Sequence, residues 1–183
     1  CPKHCAYLNF TASHDGIGVR PLTGLIPDTE LEALVDHVKA QNGMVSTKRN
    51  SDGTDSPYEL NITYFSAMGG DEHQVDRFLC SQTVMLGLKG VPAIYFHSLT
   101  ATPNDLEGVE SSSRARSINR KKWDINELEQ ELDGNGTTAT VFREYCRRIK
   151  IRTRQKAFHP NADQRVVDLE NGLFGFVRTA TDK

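Results

Sequence analysis

The chain has 183 residues, and its 22 Lys and Arg stand against 24 Asp and Glu for a net charge of −2. That balance gives no bulk attraction to nucleic acid or to a membrane surface, and no apolar run is long enough to cross a bilayer. The length allows one domain with a real core. With Cys1 in place of Met, no signal peptide and an apolar strand-like run close to Lys183, the chain is expected to be a fragment.

The first expected element is a buried strand over residues 5–13, built on Ala6-Tyr7-Leu8-Asn9-Phe10-Thr11. It runs into Ala12-Ser13-His14-Asp15-Gly16-Ile17-Gly18, where a paired His and Asp stand just ahead of two glycines. Glycines there let the backbone turn sharply and let a ligand approach closely. The pair is therefore a candidate rim site, and the plain alternative is a surface Asp-Gly turn. Residues 16–24 predict a loop. Pro27-Asp28-Thr29-Glu30 opens a helix with acidic residues at its positive end, Leu31, Leu34, Val35 and Val38 give it one apolar stripe, and Asn42-Gly43 ends it. Residues 44–57 contain the turn signal Asn50-Ser51-Asp52-Gly53 and predict a hairpin. Residues 58–68 are mixed. A second helix is expected over residues 72–88, with Val75, Phe78, Leu79, Val84, Met85 and Leu88 inward.

Ala93-Ile94-Tyr95-Phe96 then has the texture of a strand buried in a parallel sheet, with Tyr95 and Phe96 expected in the core. Residues 98–122 predict a long polar loop, a kind that is often functional. A short helix is expected over residues 125–132, and a longer one carries Val141, Phe142, Tyr145, Cys146 and Ile149. The basic residues 143–156 are expected to be its solvated face. Last, residues 165–169 and 173–177 flank Glu170-Asn171-Gly172, a hairpin signal.

Cys1-Pro2-Lys3-His4-Cys5 has metal-like residues, but no second Cys/His pair follows to complete four ligands, and no metal or other cofactor is expected. Cys80 and Cys146 fall on helical stripes and are expected to be small buried residues, which suits a reducing, cytoplasmic setting. His37 and His73 are expected to be exposed, Trp123 to anchor a loop, and His97 either to face a pocket or to support one. The succession of strand, helix, strand, helix and hairpin has the form of an α/β protein. It matches the last two β/α units of a (β/α)8 TIM barrel followed by the start of an antiparallel β domain.

Two stretches add a resemblance. Asn9-Phe10-Thr11-Ala12-Ser13-His14-Asp15 is similar to the signature of barrel strand seven in the α-amylase superfamily, and Gly90-Val91-Pro92-Ala93-Ile94-Tyr95-Phe96 to that of strand eight. Ser56-Pro57-Tyr58-Glu59-Leu60-Asn61, His97-Ser98-Leu99, Asn104-Asp105-Leu106-Glu107 and Arg114-Ala115-Arg116-Ser117-Ile118-Asn119-Arg120 resemble the sucrose phosphorylase subfamily, in particular its glucosylglycerate phosphorylase-like branch. The resemblance spans nearly the whole chain. It implies that residues 1–157 are the C-terminal part of a catalytic TIM barrel, and that residues 158–183, from Phe158-His159-Pro160-Asn161 on, begin a C-terminal β domain.

The implied activity is retaining transfer of a glucosyl group from an α-glucoside to inorganic phosphate, giving glucose 1-phosphate. Rival readings are an α-glucosidase or glucan hydrolase on the same scaffold, and a catalytically inactive amylase-like interaction protein. The nucleophile and the acid/base are implied to lie upstream, so this segment alone is expected to be inactive. Asp15 matches the position of the transition-state stabiliser and His14 that of a neighbouring sugar-hydroxyl ligand. Tyr58, Glu59 and Asn61 align with a loop on the acceptor side, where the family more often has Gln in place of Glu59. Glu59 beside an anionic acceptor requires a neutralising arginine. Arg116 aligns with a loop arginine that contacts phosphate and acceptor. The alternative for Arg114, Arg116 and Arg120 is to tie their loop to Glu107 and Glu110. Asn104 and Asp105 line the mouth or cap a turn. The acceptor stays open among glycerate, glycerol, fructose and phosphorylated fructose, as does the oligomeric state.

Overall fold

The computed structural model describes residues 2, 4–170 and 172–180. The Cys1 end of the Cys/His cluster and Asn171 of the last hairpin turn lie outside them. The chain is a mixed α/β structure. Strand β1 (Leu8–Asn9) leads to a tight turn and then to β2 (Ile17–Gly18). A 3₁₀ turn (Arg20–Leu22) precedes helix α1 (Asp28–Ala40), which has Asp28 and Glu30 in its first turn and Val35 and Val38 buried. Asn42, at φ 58, ends it in the left-handed region. Strands β3 (Met44–Arg49) and β4 (Asp55–Asn61) form the expected hairpin, with β4 running four residues further than the sequence predicts. β2 adds to the other edge of β4, so the three form an antiparallel sheet in the order β2-β4-β3. Part of the expected loop 16–24 is thus a strand.

Helices α2 (Tyr64–Ala67) and α3 (Gln74–Gly87) follow, then β5 (Val91–Pro92), α4 (Phe96–Leu99) and α5 (Leu106–Ser112). A 3₁₀ segment (Ala115–Asn119), α6 (Ile125–Asp133) and α7 (Thr137–Arg154) complete the helical part, and β6 (Asp163–Val167) pairs with β7 (Gly175–Thr179) in an antiparallel hairpin. The region 98–122 is therefore not an open loop. α4 ends at Leu99, and α5 is capped by Asp105, whose side chain accepts from the Gly108 N–H.

β1 and β5 pair in parallel, Leu8 opposite Val91 and Asn9 opposite Pro92. Val91 N–H donates to the Tyr7 carbonyl at 2.8 Å and Ala93 N–H to that of Asn9 at 2.8 Å. Pro92, which has no N–H, falls between these two donors and costs the ladder nothing. Both strands are shorter than expected: the 5–13 segment pairs over only two residues, and the strand expected at 93–96 lies two residues earlier and turns helical at Phe96. Neither is a buried strand, because among the described residues each is paired on one side only. Leu8 is 63% exposed, Phe96 lies 47% exposed rather than in the core, and Tyr95 is half-buried. Cys80 is exposed and Cys146 half-buried, against the expectation for both, since each sits at the edge of its helix's apolar stripe.

Two apolar clusters hold the elements together. Phe65, Phe78, Leu79, Met85, Leu86, Val141 and Tyr145 join α2, α3 and α7, with Phe78 edge-on to both Phe65 and Tyr145. Within it the Tyr145 hydroxyl donates to Gln82 Oε1 at 2.6 Å, and both residues are fully buried. Val19, Val35, Val38, Leu60, Ile62 and Ala67 pack α1 onto the three-stranded sheet. This second cluster fixes β4, and with it one wall of the candidate site.

Candidate functional site around Asp15

Asp15 sits in a four-residue turn. Ser13 N–H donates to the Gly16 carbonyl and Gly16 N–H to that of Ser13, both at 3.0 Å, and Asp15 N–H donates to Ser13 Oγ at 3.2 Å. Gly16 has φ 116, and a Cβ there would collide with the Leu60 carbonyl oxygen of β4. Only glycine lets the turn close onto the sheet this tightly. The turn lies beyond the paired part of β1, which ends six residues before Asp15.

Strand β4 and the 3₁₀ segment, with Arg120 just after it, converge on this turn. Arg120 Nη2 lies 2.7 Å from Asp15 Oδ1, and Arg116 Nη1 lies 3.4 Å from the same oxygen. His14 Nε2 is 3.5 Å from it, with the ring largely in solvent. Arg116 Nε donates to Glu59 Oε2 at 3.0 Å, and Asn61 Nδ2 donates to that oxygen at 3.1 Å and to the Asp15 carbonyl at 3.2 Å. Ser46 on β3 donates to Asn61 Oδ1 at 2.6 Å, which fixes the amide. Two carboxylates and two guanidiniums are thus interleaved on one side of β4. Glu59 is only 5% exposed, so its charge depends on these partners. The Glu59 hydrogen bond and charge, with help from Asp15, push the Arg116 guanidinium above its ordinary range.

Of the expected site residues, Asp15, His14, Glu59, Asn61 and Arg116 come together. Tyr58 stands apart. The β3–β4 register shifts between Ser46 and Thr47, which face Glu59 and Pro57, so Tyr58 is the extra residue of a bulge. Its ring is 39% exposed and lines a cleft between α1 and the hairpin. Arg116 and Arg120 find Glu59 and Asp15 as carboxylate partners rather than Glu107 and Glu110, and Arg114 makes no ion pair among the described residues. Asn104 acts as a latch: its Oδ1 accepts from the Thr63 N–H at 3.0 Å and its Nδ2 donates to the Gln41 carbonyl at 3.1 Å. Trp123 Nε1 donates to Thr102 Oγ1 at 3.1 Å, an anchor for the segment behind the site.

The residues that the sequence left unmarked are Arg120 and Asn119 as partners of the turn, and Tyr95 behind them. Arg120 Nε donates to the His14 carbonyl at 3.0 Å, Asn119 Nδ2 donates to the Ser13 carbonyl, and the Tyr95 hydroxyl donates to the Asn119 carbonyl at 2.7 Å. Three arginines within seven residues were a signal that the segment is charged, but nothing in it names the partners. His97 lies under the site, 5% exposed, with its ring edge-on to Tyr95 at 5.1 Å. Its Nδ1 is buried with no hydrogen-bond partner among the described residues, and burial pushes its pKa down. Among the described residues no group of three His, Cys, Asp or Glu could hold a metal ion, and no helix is long and apolar enough to cross a membrane.

No family model matches the chain. It is 38% identical over 185 residues to a glucosylglycerate phosphorylase of Escherichia coli (strain K12), covering 98% of this chain and 33% of that protein. It is 40% identical over 184 residues to a glucosylglycerate phosphorylase of Spirochaeta thermophila, covering 97% and 31%. The solved structure of sucrose 6F-phosphate phosphorylase from Thermoanaerobacter thermosaccharolyticum superposes with a TM-score of 0.76 at 27% identity, over 89% of this chain and 32% of the other. The chain spans about a third of the length of the curated relatives it matches.

Proposed function

We infer that this chain, a homologue of the glucosylglycerate phosphorylases over nearly its whole length and of sucrose 6F-phosphate phosphorylase over most of it, is part of a retaining glucoside phosphorylase. In this reading residues 1–157 supply the last two β/α units of a TIM barrel, and residues 158–183 begin a β domain. The parallel pairing of β1 with β5 supports the barrel part. The antiparallel β6–β7 hairpin supports the β domain.

The complete protein takes a glucosyl group from an α-glucoside on an upstream carboxylate, while an upstream carboxylic acid protonates the leaving oxygen. Inorganic phosphate then attacks the glucosyl-enzyme and leaves as glucose 1-phosphate. Asp15 hydrogen-bonds sugar hydroxyls and gains strength as positive charge develops at the anomeric carbon, which is differential binding of the transition state. His14, the exposed neighbour, adds a second contact to the same sugar. The chemistry calls for no metal or organic cofactor, and we place the protein in the cytoplasm.

The observation that carries this reading is the Glu59–Arg116 pair next to the Asp15 carboxylate. An unneutralised Glu59 would repel phosphate and a glycerate carboxylate alike. With Arg116 on it the net charge at that point is zero, and the guanidinium keeps an N–H face for an incoming anion. Glycerate, an anionic acceptor, therefore fits the site as well as a neutral one. Incubating the complete protein with glucosylglycerate, with and without phosphate, tests the assignment. Release of glucose 1-phosphate only with phosphate is expected. Release of free glucose at the same rate in both reactions would make it a glucosidase, and no reaction would favour an inactive amylase-like protein.

A further inference from the structure

We propose that Arg120, with Asn119 beside it, is a positioning residue that presents one oxygen of the Asp15 carboxylate to the reacting sugar; this rests on the reading of Asp15 given above. The turn that carries Asp15 has little of its own to hold it. It lies beyond the β1 ladder, and its internal bonds are those between Ser13, Asp15 and Gly16. What fixes it comes from far along the chain. Three consecutive carbonyls each accept from a distant side chain: Ser13 from Asn119, His14 from Arg120 and Asp15 from Asn61.

Among the described residues, Arg120 is the one that grips both the main chain and the carboxylate of this turn. Its Nε takes the His14 carbonyl at 3.0 Å and its Nη2 takes Asp15 Oδ1 at 2.7 Å, across 105 positions in sequence. A planar guanidinium can span two such acceptors at fixed angles, and an ammonium cannot. Arg116 does not duplicate this, since its hydrogen bond goes to Glu59 and it lies 3.4 Å from Asp15. The Arg120 hydrogen bond to the carboxylate falls on Oδ1; among the described residues no hydrogen bond reaches Oδ2, and the side chain is 35% exposed. Oδ1 is thus committed to the protein and Oδ2 is left for a sugar hydroxyl. The clamp is anchored in turn, because the Tyr95 hydroxyl, just past β5, holds the Asn119 carbonyl at 2.7 Å.

Arg120 is itself 43% exposed, and ion pairs so placed add little to folding. Its loss should appear in turnover and not in stability. The test uses the complete protein with glucosylglycerate and inorganic phosphate. Arg120→Ala should lower kcat by about 10²-fold, the size of effect that a displaced catalytic group produces, with the KM for glucosylglycerate and the melting temperature little changed. Arg120→Lys should recover part of the loss, and millimolar guanidinium should partly rescue the alanine variant. Because Arg120 acts through Asp15, the double variant Asp15→Asn with Arg120→Ala should be no slower than Asp15→Asn alone. The proposal is overturned if Arg120→Ala turns over normally while Asp15→Asn is slow, or if the two losses multiply. A normal Asp15→Asn enzyme would instead remove the reading of Asp15 itself, whatever Arg120 does. Should Arg120→Ala not fold, Arg120→Lys carries the same test: a lowered kcat at unchanged KM supports the clamp, and unaltered kinetics overturn it.

Discussion

Arg116 is shared between two carboxylates with different surroundings, Glu59 almost fully buried and Asp15 at the rim. That sharing separates the roles of the two acids. Glu59 is an internal counter-charge, met by the arginine. Asp15 keeps solvent access. Asp15→Asn preserves size and the Oδ1 acceptor but removes the charge that, in the proposed function, meets the oxocarbenium-like state. In the complete protein it should lower the rate of glucose 1-phosphate formation by about 10²–10³-fold. A folded variant with near-normal turnover would exclude the role. Arg116→Lys keeps the charge yet loses the planar fork, so apparent phosphate affinity should weaken while hydrolysis of the same donor falls less. The comparison is phosphorolysis against hydrolysis; an equal fall in both would make Arg116 a tie for its segment. The turn at Asp15 was legible in the sequence because a His-Asp pair ahead of glycine marks one. Arg120 was not, because the residue that defines its use lies 105 positions away, and no local pattern encodes such a contact.

At the scale of elements, the long helices α1, α3 and α7 were legible within a few residues, since each buries one stripe against a cluster and its period survives in the sequence. Two of the short elements, β2 and α4, were not, whereas α6 and the two hairpins were. β2 exists because β4 offers it an edge, and α4 because the chain turns helical directly after β5. Apolar texture at 93–96 suits a buried strand or a buried turn of helix equally well. Helix α4 carries a consequence for pH. Burial holds His97 below its ordinary pKa, with the Asp105 charge and a hydrogen bond to the Lys121 backbone opposing that shift and the Lys121 charge reinforcing it. Unfolded, the ring takes up a proton as the pH falls through about 6.5; folded, it resists until lower pH. Below that point the unfolded state binds more protons, so stability is full above pH 6.5 and declines as the pH falls toward the folded value. Melting temperatures of the complete protein from pH 7.5 to 5 should drop, and His97→Asn should flatten the drop. Parallel curves for the two proteins would show that His97 does not carry it.

At the scale of the whole molecule, the two clusters leave a good deal of apolar surface uncovered. Tyr7, Leu8 and Phe10 around β1 are 56%, 63% and 57% exposed, and Val91 opposite Leu8 is 43% exposed. β1 and β5 each present a second edge with unpaired N–H and C=O groups among the described residues. A second uncovered region lies on the terminal hairpin, where Val166, Leu173 and Phe174 are 60% exposed or more. The hairpin is nonetheless fastened: Arg178 Nη1 donates to the Gly87 carbonyl at 2.9 Å and Lys89 N–H donates to Gln164 Oε1 at 2.7 Å, while Arg152, from α7, holds the same stretch of chain by donating to the Leu86 and Gly90 carbonyls. These bonds carry the C-terminus of α3 and the start of β5 together, so the hairpin is held at its base while its apolar tip stays open. Exposed β edges flanked by Tyr, Leu and Phe favour pairing between copies over a stable monomer. The 183-residue chain, produced alone, should therefore self-associate and melt without a sharp transition. Leu8→Lys with Phe10→Lys, which place charge on the open edge, should shift it toward monomer. Sedimentation velocity at several concentrations reads both outcomes. A monomer with one cooperative melt would mean that the two clusters suffice without further strands, and that the exposed edge of β1 is tolerated.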